Sequence, residues 1–139
     1  MSLRVFVDTS AWKAYLDKKD VFHEAVSEQF LRCRRDHTVL VTTDYILSET
    51  VTLLRMRRGL GHRLAVQFGK MILNSQVVHL RHVASADFHR AWEIFERCAD
   101  KDFSFVDCAS FAVMENEKLS SALALDDHFV QYGFQKLPD

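Results

Sequence analysis

Asp8, Glu49, Asp107 and Asp126 are the residues of this chain whose type and setting could do chemistry. Asp8 ends the apolar stretch RVFV and is followed at once by Thr9 and Ser10, in the run RVFVDTSAW at residues 4–12. Glu49 lies in ILSETVTLL, Asp107 in FVDCAS, and Asp126, with Asp127 beside it, follows ALAL. Acids at strand ends suit ligand chemistry, because the crevice at the carboxyl end of parallel strands is where layered α/β proteins bind ligands. Several carboxylates at one edge repel unless they are protonated, hydrated or paired with cations. Mg²⁺ or Mn²⁺ resolves that repulsion: both accept oxygen ligands, and Mg²⁺ keeps several waters while using one or two carboxylates together with substrate phosphate oxygens. Such a site orients and deprotonates water for attack on a phosphodiester and neutralises the charge that develops.

Each acid also has a structural reading, and the spacing alone leaves both open. Asp8 or Ser10 is a good N-cap for a following helix. Glu49 shares a helical edge with Ile46 and Leu53, at the border of the packed stripe where a glutamate still reaches water. Ser104 and Asp107 have the spacing of a helix-capping arrangement, although Glu or Gln is the usual partner, and capping does not exclude catalysis. Asp126 and Asp127 are also ordinary turn or cap types. Asp102 is assigned to the surface, and His128 to local structure or a helix start.

The elements that must position these acids follow from apolar periodicity. Leu3–Val7, Thr38–Thr43 and Val77–Leu80 are strand candidates, and ALAL before Asp126 and the terminal GFQKL fit a fourth and a fifth. Helices are expected over residues 11–18, over 21–35 with Phe22, Ala25, Val26, Gln29 and Phe30 as the buried stripe, and after Asp44 as an N-cap. Gly59 and Gly61 bracket a boundary, LAVQFGKMIL forms the next helix, residues 84–98 repeat the period through Phe88, Ala91, Trp92 and Phe95, and residues 104–119 form a last long helix. Short apolar segments alternating with helices predict an α/β protein, a three-layer α/β/α sandwich around a central, mainly parallel sheet. With four glycines, one proline and no linker or repeat, residues 1–139 read as one domain.

Composition narrows the function. A formal charge of -1 and a pI of 6.6 argue against a module that binds nucleic acid by phosphate contacts alone, and less against an enzyme whose acids surround a cation. Cys33, Cys98 and Cys108 make no paired framework, so each reads as a small hydrophobe in a reducing cytoplasm. No stretch is apolar enough for a membrane span or a secretion signal. The seven histidines lack zinc-ligand spacing, no nucleophile motif surrounds Cys108 to Ser110, and the glycines form neither a P-loop nor a dinucleotide fingerprint. Trp12, Trp92 and Phe88 are expected in the core rather than as base-stacking residues.

Taken together, VFVDTS at Val5–Ser10, LSET around Glu49, FVDCAS around Asp107 and ALALDDHF around Asp126, with Phe129 three places after that acid, resemble a PIN domain. The organisation from residue 3 to 137 is similar to the single-domain ribonuclease toxins of type II toxin–antitoxin modules, the VapC group. The resemblance implies a parallel sheet between helical layers, divalent-metal-dependent RNA hydrolysis leaving 3'-hydroxyl and 5'-phosphate ends, a small antitoxin partner and a homodimer. It further implies Asp8 as a principal metal ligand oriented by Ser10, with Thr9 in the same motif, Glu49 as the helix-borne acid, and Asp107 and Asp126 as completing the metal site. The chain departs from the pattern at Asp127, where many relatives are not acidic, and at Ala124, where Thr or Ser is common. Asp127 is either an added ligand or a solvent-facing residue. Arg55, Arg57, Arg58 and Arg63 then have three readings: contacts to RNA phosphates, contacts to an acidic antitoxin tail, or a solvated helix end. The alternatives to a ribonuclease are a metal-dependent phosphatase or DNA nuclease using the same acids, and a noncatalytic PIN-like interaction domain.

Overall fold

Five short strands build the centre of the molecule: β1 (Arg4–Val7), β2 (Val39–Thr43), β3 (Val78–Arg81), β4 (Ser121–Leu123) and β5 (Gln135–Leu137). The structure, a computed structural model, describes residues 3–56 and 60–139; Arg57 and Arg58 of the basic segment and Gly59 of the expected helix boundary lie outside the described residues. The strands pair in the order β3-β2-β1-β4-β5, and every pairing is parallel. Phe6 in the middle strand faces Val41 on one side and Ala122 on the other. Phe6, Val7, Val41, Ala122 and Leu123 are all fully buried. That is why these segments are continuously apolar rather than alternating: a parallel sheet covered on both faces has no wet side.

The helices are α1 (Thr9–Leu16), α2 (His23–Arg35), α3 (Asp44–Met56), α4 (Gly61–Asn74), α5 (Ser85–Arg97), α6 (Phe105–Glu117) and α7 (His128–Tyr132). The chain steps from β1 outward to β2 and β3, then crosses back to β4 on the far side of β1. Right-handed crossovers therefore put α1 to α4 on one face and α5 to α7 on the other, giving the expected three layers. The switch in direction falls between β1 and β4, the position at which α/β sheets open a crevice.

Several local expectations are corrected by the hydrogen bonds. Helix α1 starts at Thr9 because Asp8 caps it. Thr43, not Asp44, caps α3: its Oγ1 accepts from the Ile46 N–H at 3.1 Å, while Asp44 Oδ1 accepts from the Val83 N–H at 2.8 Å. Strand β4 ends at Leu123, since the Leu125 N–H donates to the Ser10 hydroxyl instead of to a neighbouring strand. In α2 the buried residues are Val26 and Cys33, whereas Phe22 and Ala25 are exposed.

Trp12 is in the core as expected, 2% exposed, with its Nε1–H donating to Thr42 Oγ1. Trp92 and Phe88 are not; they are 50% and 42% exposed. Helix α5 instead turns Ala91 and Ile94 inward, against an α6 that carries Cys108, Ala109 and Ala112. Small residues on both sides let the two backbones approach closely, and the large aromatic rings are left at the margin. There they gather around Phe105, whose ring centre is 5.3 Å from Phe88, 6.1 Å from Trp92 and 6.0 Å from Phe95. An ion-pair network ties the layers to the sheet: Arg81 of β3 reaches Asp87 at 2.7 Å and Glu117 at 3.3 Å, and Glu117 also meets Arg4 at 2.6 Å.

Candidate active site

Asp8 stands where β1 becomes α1. Its N–H donates to the Leu123 carbonyl at 2.9 Å, continuing the β1–β4 ladder by one residue, and its extended backbone (φ -87°, ψ 161°) turns the chain into the helix. Carboxylate Oδ2 accepts from the Ser10 N–H at 3.2 Å and the Ser10 hydroxyl at 2.7 Å. The same hydroxyl accepts from the Leu125 N–H at 3.0 Å, so one serine fixes the Asp8 carboxylate and ties it to the segment leading into Asp126. Oδ1 takes no hydrogen bond from any described residue.

Asp107 repeats the arrangement on the opposite layer. It is the third residue of α6 and completes a reciprocal cap: its N–H donates to Ser104 Oγ at 3.0 Å, and its Oδ2 accepts from the Ser104 N–H at 3.0 Å. The imidazole of His128 adds a second contact to Oδ2, Nδ1 at 2.8 Å, and Oδ1 is again left over. Asp126 uses Oδ1 for the His128 N–H at 3.1 Å, with Nδ1 of the same histidine 3.7 Å away, and Oδ2 stays free. Three acids from three segments thus each commit one oxygen to holding the backbone or the neighbouring ring and keep the other available.

The charges of the three bear on one another. Burial pushes the Asp8 carboxyl up to about 7; its hydrogen bond from the Ser10 hydroxyl pulls the other way, and the charges of Asp126 and Asp107 push it up further. Asp107 is also held above the ordinary carboxylate range, by burial first, against the Ser104 N–H and His128 and with a further push from Asp126. Among the described residues no three His, Cys, Asp or Glu side chains close into a ready-made metal cage. The donor set nevertheless fits a hard divalent cation: all donors are carboxylate oxygens, each with a free atom, and they repel one another when ionised. Mg²⁺ needs no cage, since water and substrate oxygens fill most of its octahedron.

Glu49 is exposed on α3 and lines a cleft of about 420 Å³ with Tyr45, Ser48, Thr52 and Val106, the last adjoining Asp107. It takes part in none of the hydrogen bonds that hold the three aspartates. Thr9 is buried, and its Oγ1 receives a bond from Thr50 Oγ1 at 3.3 Å, which links α1 to the helix carrying Glu49. Asp127 is exposed and pairs with Lys136 at 3.1 Å. Asp102, Arg55 and Arg63 are exposed, and Arg55 contacts His62. His128 does start a helix, as expected, but its ring also bridges two of the acids, a role the sequence reading does not include. The available signal is its place between Asp126 and the fully buried Phe129, which pins α7 and fixes where the imidazole stands.

Comparison with known proteins bears on this arrangement. The PIN-domain family model matches residues 5–135. The chain is 37% identical over 130 residues to the 23S rRNA-specific endonuclease VapC20 of Mycobacterium tuberculosis, from strains CDC 1551 / Oshkosh and H37Rv, covering 94% of this chain and 95% of that protein. The crystal structure of M. tuberculosis VapC20, described as a sarcin–ricin loop cleaving toxin, superposes with a TM-score of 0.85 at 36% identity, over 94% of this chain and 95% of that one. VapBC2 from Rickettsia felis, bound to a DNA fragment from its promoter, matches with a TM-score of 0.72 at 7% identity, covering 96% of this chain and 97% of the other. At that identity the match speaks for the fold alone.

Proposed function

The chain belongs to the PIN-domain family, and from that premise we propose that it is a divalent-metal-dependent endoribonuclease, the toxin of a toxin–antitoxin pair, acting in the cytoplasm. The observation that carries the reading is the convergence of Asp8, Asp107 and Asp126: the charges of Asp126 and Asp107 both push up the Asp8 carboxyl, that of Asp126 pushes up Asp107, and each of the three has one oxygen without a hydrogen bond from a described residue. Mg²⁺ or Mn²⁺ is the cofactor such hard oxygen donors favour, and when bound it would supply positive charge against a phosphodiester and acidify water.

The roles of the chain's own residues follow from the geometry. Asp8, Asp107 and Asp126 would hold the cation through their free oxygens, while Ser10 for Asp8, Ser104 for Asp107 and the His128 N–H for Asp126 keep the other oxygens occupied and the carboxylates aligned. Glu49, on the rim of the neighbouring cleft, orients the attacking water or accepts its proton. Arg55 and Arg63, both solvent-exposed, contact RNA phosphates or the antitoxin, Arg57 and Arg58 extend the same segment, and Thr9 supports the motif from beneath. Asp127, paired with Lys136, is assigned to the surface. The substrate class is ribosomal RNA, as for the 37% identical VapC20. A small antitoxin and a second copy of the chain are the expected protein partners.

The test is sequencing of RNA 5' ends after incubating ribosomes and total RNA with pure protein and Mg²⁺ or Mn²⁺. The expected result is a small set of new 5'-phosphate ends in 23S rRNA, absent with chelator and with Asp8→Asn, and reduced with Glu49→Gln. Cyclic-phosphate ends, or cleavage insensitive to both controls, would overturn the reading.

A further inference from the structure

Resting on the reading of the three acids as a cation site, we infer that His128 is a positioning residue: through Nδ1–H it holds Oδ2 of Asp107, so that Oδ1 is the oxygen turned to the cation. Two contacts define the role. Nδ1 lies 2.8 Å from Asp107 Oδ2 and 3.7 Å from Asp126 Oδ1, so one ring spans acids contributed by α6 and by the β4–α7 segment. An ionised carboxylate only accepts hydrogen bonds, so the proton must sit on Nδ1 and the imidazole must present that nitrogen as donor.

The ring cannot drift from this pose. Its backbone N–H is anchored on Asp126 Oδ1 at 3.1 Å, the next residue, Phe129, is fully buried, and Phe103 packs edge to face on the imidazole at 5.6 Å. With the Ser104 N–H on Oδ2 as well, both hydrogen-bonding directions of that oxygen are filled. Held by the Ser104 N–H alone, the Asp107 carboxylate has one bond on Oδ2 and can still turn about it. Held by both, it offers a single oxygen in a fixed direction. A ligand's outer partners of this kind typically change metal affinity by 10- to 100-fold when removed.

The experiment measures Mn²⁺ binding by calorimetry and by loss of the free-ion electron-spin-resonance signal, without RNA. His128→Leu keeps apolar contact with Phe103 but has no donor; His128→Asn places an amide N–H near the Nδ1 position. The expected result is Mn²⁺ binding about 10- to 100-fold weaker in His128→Leu and within about threefold of wild type in His128→Asn, with unchanged circular dichroism. In the unmutated protein, nitrogen NMR of the imidazole should report the Nδ1–H tautomer. Wild-type affinity in folded His128→Leu, equal weakening in both variants, or an Nε2–H tautomer would overturn the inference. Absence of Mn²⁺ binding in the wild type itself would instead overturn the reading of the acids as a cation site, and this inference with it.

Discussion

Asp8→Asn should make the folded chain more stable near neutral pH while removing its cleavage activity. The carboxyl of Asp8 has an ordinary value of 3.8 and is pushed up to about 7 in the folded chain, mainly by burial and with the charges of Asp126 and Asp107 adding to it. Between those values the unfolded chain has lost the proton and the folded chain retains it, so folding stability falls as pH rises through that window. Above about pH 7 the full cost of carrying the charge is present, on the order of 4 kcal/mol at 1.36 kcal/mol per pH unit. Asparagine removes that cost and keeps the useful bonds: its carbonyl oxygen takes the place of Oδ2 under Ser10, and its amide takes the place of Oδ1, which has no partner to lose. Urea unfolding of both proteins from pH 4 to 8, without divalent metal, reads the difference directly. The variant should gain little at pH 4 and about 2 to 4 kcal/mol at pH 8. Taking the difference cancels the titrating groups that do not interact with Asp8. Equal stabilities across the range, or a variant weaker than wild type at pH 8, would refute the claim that Asp8 is buried against its own charge.

Four further outcomes follow from the same geometry. Cation binding must displace the proton that Asp8 retains, so calorimetry of Mn²⁺ binding in buffers of different ionisation enthalpy should show about one proton released at pH 6 and almost none at pH 8. Saturating Mg²⁺ at about 100 times its dissociation constant should stabilise the wild type by about 2.7 kcal/mol and Asp8→Asn far less, as read from thermal midpoints. Asp87→Ala should cost about 1 to 3 kcal/mol in urea unfolding, because it removes the bonds that Arg81 makes to Asp87 at 2.7 Å and 3.3 Å and that the Ala84 N–H makes at 2.8 Å, leaving Arg81 paired with Glu117 alone among the acids. Burial opposes the charge on Asp87, but the bonds from Arg81 and the Ala84 N–H outweigh it and hold its carboxyl below the ordinary range, so the deficit should shrink as pH falls below about 3.8. Ser110→Ala should leave stability unchanged or raise it by about 1 kcal/mol, since the Ser110 hydroxyl is fully buried and has no hydrogen-bond partner among the described residues.

The sheet was legible because a strand buried on both faces must be written in continuous apolar residues, as in Val5, Phe6 and Val7 or Val39, Leu40 and Val41. The acids stood out as candidates, Asp8 and Asp126 after predicted strands and Asp107 in the first turn of a helix, but spacing alone left cap and ligand open for each, and the resemblance to a PIN domain gathered them into one proposed site. The faces of α2 and α5 were not legible, because apolar periodicity marks candidates without saying which of two adjacent stripes the neighbour can accept. In α5, Phe88, Trp92 and Phe95 alternate with Ala91 and Ile94, and the small side chains of α6 decided for the latter pair. The His128 contact joins residues 21 apart in the chain, a separation at which no local pattern carries information. Asp44 and Thr43 are equally able caps by residue type, and Thr43 takes the role because its hydroxyl lies within reach of the Ile46 N–H.

For Asp8 and Asp107 a helix cap and the proposed role as a cation ligand are compatible. A carboxylate has two oxygens, and a cap consumes one. In each residue Oδ2 satisfies the helix start, through Ser10 for Asp8 and through Ser104 for Asp107, which leaves Oδ1 oriented by a rigid backbone rather than by a loop. The cap therefore supplies the precision a cation site needs. It also partly offsets the burial cost that would otherwise exclude a charged group from the position. The offset is incomplete, since both carboxyls still lie above their ordinary range. That residual cost, set by burial first and by the neighbouring acids second, is one a bound divalent cation would relieve. Loss of Ser10 should consequently harm both sides at once, loosening α1 and releasing Asp8 from the Leu125 segment, so that stability and cation affinity fall together.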